Sequence, residues 1–141
     1  MRLMFLLNQI LDFNTWMGDP IRALQAKEMI KYIDNNDLIN LTKNVGGNLY
    51  SNIKALSERT VIENVRGWNQ GTFIAFDLPS SQQRDKLVSE MRNNGVNVGA
   101  CGDRSLRLRP MLIFNEIESQ LLLQCLQSCI TNIWLQKRKY I

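Results

Sequence analysis

The stretch VIENVRGWNQGTFIAFDL, residues 61–78, decides the predicted fold. Its first six residues alternate in a pattern of period two, which is typical of a β-strand. The segment GWNQG at 67–71 is rich in turn-forming residues, and TFIAFDL at 72–78 is rich in aromatic and β-branched residues. We therefore predict two antiparallel strands joined by a loop that is longer than two residues.

A second hairpin is predicted further along the chain. VNVGAC at 96–101 has the composition of a short strand, and GDR at 102–104 turns the chain. SLRLRP at 105–110 then returns as a strand that ends at Pro110, because proline has no N–H to donate to a sheet.

The returning strand SLRLRP alternates apolar and positive side chains. Alternate side chains of a strand point to the same face, so Leu106 and Leu108 are expected to face a core. Arg107 and Arg109 then share the opposite face. The residues alone leave two interpretations open for these arginines, a solvated strand face or a binding site for an anion.

Helical patterns flank the two hairpins. Asp19-Pro20 predicts a helix start, as does Ser80, which lies three residues before Gln83, and Asn115 is expected to cap a long final helix. The apolar side of that final helix is predicted to comprise Leu121, Leu122, Cys125, Leu126, Cys129, Ile130 and Ile133.

The second helix carries an apolar stripe that is interrupted by Gly46 and Gly47. Each glycine costs about 1 kcal/mol relative to alanine in a helix interior. These glycines therefore either admit a close neighbour or mark a break. The element order is helix, helix, strand, strand, helix, strand, strand, helix, which predicts an α+β domain of antiparallel strands with helices packed on one side.

Composition excludes several classes of chemistry. The 141 residues include no histidine, which removes histidine-based acid–base catalysis and the commonest metal ligand. The three cysteines are predicted to be free thiols, of which Cys125 and Cys129 pack in the core, and we expect no metal site. The net charge of +4 comes from scattered residues without a pattern of stacking aromatics, so nucleic acid is not an expected partner. No segment approaches the roughly 20 apolar residues that cross a membrane.

Three landmarks together resemble one enzyme family. They are FNTWMGDP at 13–20, RGWNQGTFIAFDLP at 66–79 and GACGDRSLRLRPMLIF at 99–114. From about residue 12 to the end, the chain resembles the C-terminal part of class III pyridoxal-phosphate-dependent aminotransferases of the 4-aminobutyrate aminotransferase branch. The resemblance divides the chain into an unmatched segment 1–11, an interdomain segment and linking helix 12–36, and the small C-terminal domain 37–141.

The resemblance implies a fold and an activity. The chain is expected to form the small domain of a fold-type I enzyme, which is a homodimer and in many eukaryotes is located in the mitochondrial matrix. Such enzymes transfer the amino group of 4-aminobutyrate to 2-oxoglutarate and give succinate semialdehyde and glutamate. Their pyridoxal phosphate is held as a Schiff base by a lysine that precedes FNTWMGDP. The twelve residues before that landmark contain no lysine, so this chain is expected to be an inactive fragment.

The resemblance assigns two site residues. Thr15 corresponds to the threonine that reaches the cofactor phosphate of the partner subunit, and Arg107 corresponds to the arginine that holds the α-carboxylate of glutamate. It assigns no role to Arg109. An alternative function is a non-catalytic small domain that binds a partner protein, and a basic nucleic-acid binder is a third and weaker hypothesis that rests on net charge alone.

Overall fold

The computed structural model describes residues 18–138, and their regular elements alternate as the sequence predicts. There are four helices and four strands in this part of the chain. The helices are α1 (Pro20–Asn35), α2 (Leu38–Ser57), α3 (Ser81–Asn93) and α4 (Glu116–Arg138). The strands are β1 (Glu63–Arg66), β2 (Ile74–Asp77), β3 (Gly99–Cys101) and β4 (Ser105–Leu108).

The four strands form one antiparallel sheet in the order β1-β2-β4-β3. Both predicted hairpins are confirmed, although β1 and β3 are shorter than the patterns that predicted them. The central pairing joins β2 to β4, with Ala75 opposite Arg107 and Phe76 opposite Leu106. The register between β1 and β2 shifts between Glu63 and Arg66, where Asn64 has a positive φ of 49°.

One face of the sheet forms the core with α2, α3 and α4, which confirms the α+β fold class. The side chains that β2 and β4 send to this face are fully or almost fully buried. The three helices contribute further buried apolar residues, including Leu49, Ile53, Leu87, Met91, Leu126 and Ile130. The other face carries the polar and charged side chains of the same strands.

The predicted helix starts are made by side-chain caps. Asp19 accepts a hydrogen bond from the backbone N–H of Ile21 at 3.0 Å, and Ser80 accepts one from Gln83 at 3.3 Å. Asn115 accepts from the N–H groups of the first turn of α4, and its own N–H donates to Glu118 at 2.9 Å. These contacts satisfy donors that a helix leaves without partners at its N-terminus.

The two glycines of α2 have different roles. The helix runs unbroken from Leu38 to Ser57, so the glycines do not mark a break. Gly46 is buried against the backbone of Gly71 and Thr72, whereas a Cβ at Gly47 would meet nothing within 4 Å. Only Gly46 therefore serves as the site of a close approach.

One prediction about the core is wrong. Leu121 was expected on the buried side of α4, but 58% of this residue is exposed. It lies in the second turn of the helix, where its neighbour Leu122 is the first residue of α4 to reach the apolar core. Of the two cysteines expected in the core, Cys129 is buried and Cys125 packs against it.

The chain divides into two compact units, 1–36 and 37–141. In the described part of the first unit, α1 has no buried residue. The sheet and the other three helices belong to the second unit. None of the helices in the described part of the chain has the length and apolar character needed to cross a membrane.

Candidate carboxylate-binding site

Arg107 lies in the middle of the sheet, on the face away from the core. Its Cα is in register with Ala75 of β2 on one side and with Gly99 of β3 on the other. Leu106 and Leu108 are buried and Arg107 is half-buried, so the predicted alternation along β4 is confirmed. The two small neighbours leave the arginine side chain room to extend over the sheet.

Arg109 has a partner in the same part of the molecule. Its guanidinium carbon lies 5.6 Å from the centre of the Phe73 ring, a geometry in which a cation is attracted to an aromatic face. Phe73 precedes β2 and Arg109 follows β4, so the two residues lie next to each other across the strand pair. The two arginines of SLRLRP are therefore not equivalent, although periodicity alone does not separate them.

A third arginine on this face is held by a buried carboxylate. Asp77 accepts hydrogen bonds from Arg66 at 2.7 Å, Ser105 at 2.6 Å and Asn64 at 3.0 Å. The hydrogen bond from the Arg66 guanidinium, helped by Ser105 and Asn64, holds the pKa of Asp77 well below its usual range, although burial opposes this shift. Asp77 is therefore charged throughout the physiological pH range.

Both terminal nitrogens of Arg66 have partners in the protein. Its Nη2 also donates to the hydroxyl of Ser105 at 2.9 Å, and its Nη1 donates to the backbone carbonyl of Asn64 at 2.8 Å. Within residues 18–138, by contrast, the Arg107 side chain has no hydrogen-bond or ion-pair partner. Of the three arginines that share this face, Arg107 is the half-buried one for which the described residues offer neither an ion pair nor an aromatic partner.

A groove of about 530 Å³ lies beside the edge strand β3. Its walls are residues 95–99, the end of β4 with Arg107 and Arg109, Phe114, and the first turns of α4 with Glu118. The lining is largely apolar, with a few charged groups, which is the usual character of a small-molecule site. A guanidinium in such a place binds a carboxylate through two parallel N–H···O bonds.

The hairpin that carries Arg107 is anchored from the opposite side of the sheet by Arg84 of α3. This arginine is only 8% exposed. Its Nη1 donates to the carbonyl oxygens of Gly102 at 3.0 Å, Ser105 at 3.3 Å and Cys101 at 3.5 Å. Its Nε donates to the exposed carboxylate of Asp85 at 2.6 Å. A single side chain therefore fixes the turn between β3 and β4.

The described residues fit a carboxylate better than they fit the attachment of pyridoxal phosphate. Lys27, Lys31, Lys43, Lys54 and Lys86 are all exposed on helices. None of them lines the groove. This part of the chain therefore offers no amine to a carbonyl compound bound beside Arg107. Thr15, the residue predicted to contact the cofactor phosphate, lies outside the described residues.

Sequence reasoning missed the network around Asp77. The signal was present, because Arg66 and Asp77 have opposite charges and lie on adjacent strands of the predicted hairpin. Their pairing depends on the register shift at Asn64, which the pattern does not reveal. No pattern in the sequence indicated the role of Arg84, since an arginine in a polar helix ordinarily lies in solvent.

Curated proteins with similar sequences are aminotransferases. The chain is 46% identical over 120 residues to a 4-aminobutyrate aminotransferase of Schizosaccharomyces pombe, a match that covers 84% of this chain and 25% of the relative. It is 42% identical over 113 residues to the mitochondrial 4-aminobutyrate aminotransferase of Sus scrofa, which covers 79% of this chain and 22% of the relative. The chain thus spans about a quarter of the length of these relatives.

Solved structures show the same fold. A phospholyase from Arthrobacter, crystallised with phosphoethanolamine, superposes with a TM-score of 0.82 at 24% sequence identity. That match covers 92% of this chain and 33% of the phospholyase. The family profile described as aminotransferase class-III matches residues 4–130, most of the sequence. The chain belongs to the class III aminotransferase family.

Proposed function

We propose that this chain is the C-terminal portion of a 4-aminobutyrate aminotransferase. The complete enzyme would transfer the amino group of 4-aminobutyrate to 2-oxoglutarate and yield succinate semialdehyde and glutamate. The proposal is supported by the names of the relatives and, above all, by one observation in the molecule. Arg107 is a half-buried guanidinium that pairs with none of the described residues, and it lines a groove large enough for a small dicarboxylic acid.

In this proposal, Arg107 binds and orients the α-carboxylate of glutamate or 2-oxoglutarate. The paired N–H groups of a guanidinium match the two oxygens of a carboxylate, and this geometry fixes the rotation of the substrate as well as its position. Pyridoxal phosphate, when bound, supplies the electron sink for the reaction.

The remaining assignments are proposals that follow from the resemblance. Residues 12–36 form the interdomain segment and linking helix, and residues 37–141 form the small domain. Thr15 contacts the cofactor phosphate of the partner subunit in a homodimer. The Schiff-base lysine lies outside these 141 residues. The enzyme is located in the mitochondrial matrix, a proposal that the word mitochondrial in the name of the pig relative supports.

A chimaeric enzyme tests the role of Arg107. The C-terminal quarter of the S. pombe relative is replaced by residues 12–141 of this chain, and the two half-reactions are measured separately. Arg107→Ala is expected to lower kcat/KM for 2-oxoglutarate about 100-fold, because a pair of charge-assisted hydrogen bonds is lost. Arg109→Ala is the matched control, since its guanidinium is held over Phe73 and is expected to change this constant less than fivefold.

The two variants separate the possible outcomes. Equal losses in both would mean that the strand face as a whole carries the anion, and no loss in either would refute the carboxylate site. A chimaera that folds as a dimer but transfers no amino group from 4-aminobutyrate would contradict the proposed reaction.

The second candidate function is a non-catalytic small domain that binds a partner protein. It is favoured by the exposed lysines, none of which lines the groove. Under this hypothesis the purified 141-residue chain neither retains pyridoxal phosphate after borohydride reduction nor transaminates. Trapped cofactor together with activity would rule it out. A reading frame upstream of Met1 that encodes a lysine-bearing large domain would favour the enzyme instead.

A further inference from the structure

The outer face of the sheet presents three guanidinium groups, and among the described residues only that of Arg66 is paired with a carboxylate. Arg66, Ala75 and Arg107 lie in one row across β1, β2 and β4. Two strand spacings separate the Cα atoms of the two arginines, a distance of roughly 10 Å. Ala75 lies between them, and its methyl group leaves open space above the row.

This spacing places both arginines within reach of one ligand. An extended arginine side chain is about 6 to 7 Å long, so two such side chains can approach a common anion from either side of Ala75. A dicarboxylate or tricarboxylate bound at Arg107 would then gain a second partner in Arg66. Two guanidinium groups on one anion would favour multivalent anions over a single carboxylate.

The observed contacts of Arg66 prevent this arrangement. The Nη2 of Arg66 donates to Asp77 and Ser105, and its Nη1 donates to Asn64. These contacts direct the guanidinium toward Asp77 rather than toward Arg107. The side chain of Asp77 is only 12% exposed, so water screens the pair incompletely. The charge of Arg66 is thus compensated within the protein.

We infer that Asp77 is a specificity-determining residue, because it holds Arg66 away from an anion bound at Arg107. Asp77 withdraws Arg66 from the groups that could bind the anion and so leaves Arg107 to bind one carboxylate group. The residue acts through Arg66 and does not touch the ligand. This inference rests on the proposed role of Arg107 in carboxylate binding.

The test is anion binding to the purified 141-residue chain at low ionic strength. The probes are propionate, glutarate and tricarballylate, which carry one, two and three carboxylates, and binding is followed by NMR of the arginine Nε–Hε groups. In the wild-type chain, the Arg107 signal is expected to shift with each probe and the Arg66 signal to stay in place. Arg107→Ala should abolish binding of propionate.

The decisive variant is Asp77→Asn, which removes the negative charge that holds Arg66 with little change in side-chain shape. It should bind glutarate and tricarballylate at least fivefold more tightly than the wild type and propionate less than twofold more tightly. The added Arg66→Met substitution should remove the gain. Glu63→Gln is the matched control, because it changes the charge of the sheet by the same amount but frees Arg104 instead, whose partner at 2.6 Å is Glu63.

The outcomes distinguish the inference from the proposed function. If Asp77→Asn and Glu63→Gln alter the preference for multivalent anions equally, the inference is overturned, whereas the site at Arg107 stands. If Arg107→Ala leaves propionate binding unchanged, the proposed site itself fails.

A second measurement needs no variant, so it remains decisive even if Asp77→Asn does not fold. The wild-type chain is labelled with the arginine-selective reagent phenylglyoxal and mapped by mass spectrometry. Glutarate is expected to protect Arg107 at least fivefold and Arg66 less than twofold. Equal protection of the two arginines would overturn the inference.

Discussion

Alanine substitution at the two adjacent glycines of α2 is expected to have opposite effects on stability. A Cβ at Gly46 would overlap the carbonyl group of Gly71 and lie 2.7 Å from the backbone nitrogen of Thr72. These atoms belong to backbone and not to a flexible side chain, so either the helix or the turn has to move. Overpacking of this kind typically costs about 1–3 kcal/mol, and the gain in helix propensity offsets only about 1 kcal/mol.

Gly47 provides the matched control one residue further along the same helix. A Cβ there meets nothing within 4 Å. Gly47→Ala is therefore expected to stabilise the fold by about 0.5–1 kcal/mol, because alanine lowers the conformational entropy of the unfolded chain. Because the clash at Gly46 is with backbone, we expect the upper end of the overpacking cost, so that Gly46→Ala destabilises the fold by a net of about 2 kcal/mol. The two variants would then differ by nearly 3 kcal/mol, about two orders of magnitude in the unfolding equilibrium constant.

Urea unfolding followed by far-UV circular dichroism measures both values by linear extrapolation. Comparable urea midpoints for Gly46→Ala and Gly47→Ala would refute the close approach of α2 to the turn at 67–72. A Gly46→Ala variant at least as stable as the wild type would refute it more directly.

Three further predictions concern stability. Ser80→Ala removes the cap of α3 and should lower the free energy of unfolding by about 1 kcal/mol, as measured by urea titration; an unchanged midpoint would mean that the cap contributes nothing. Gly67→Ala places a Cβ against the carbonyl oxygen of Phe73 at a φ of +111°, so its Tm should fall by several degrees, and a Tm equal to that of the wild type would contradict the positive φ. Because the folded-state pKa of Asp77 is lowered, its pairing with Arg66 stabilises the fold above about pH 4 and is lost as the pH falls further. Between pH 6 and pH 3 the wild type should therefore lose about 1 kcal/mol more than Asp77→Asn, and parallel losses in urea midpoints would contradict the pairing.

The sequence predicts the elements of this fold well because their signals are local. A capping side chain acts within one turn, as at Asp19 and Ser80, and a hairpin joins neighbouring stretches of chain. The pairing of β2 with β4 has no local signal, since a helix and a strand separate the two in sequence. The exposure of Leu121 was missed because periodicity gives the direction of a side chain but not where the core ends.

Local sequence patterns predict even less about the candidate site. Alternation along β4 placed Arg107 and Arg109 on one face, and the structure confirms that arrangement for the strand. What separates them is the set of neighbours, an aromatic ring for Arg109 and two small residues for Arg107. Such neighbours come from other strands, so a linear pattern cannot supply them. The resemblance pointed to Arg107, and the described contacts give a physical reason for the difference.

The three bonds from Arg84 to the turn between β3 and β4 end on main-chain carbonyl oxygens. Every amino acid presents the same carbonyl group, so this anchor does not depend on which side chains form the turn. Substitutions at Asp103 are therefore expected to accumulate in evolution without moving Arg107, provided that Arg84 is kept. A lysine at position 84 would not preserve this anchor, because one ammonium nitrogen cannot replace both Nη1, which binds the turn, and Nε, which binds Asp85. The sequence of the turn can therefore change in evolution while the geometry of β4 is retained.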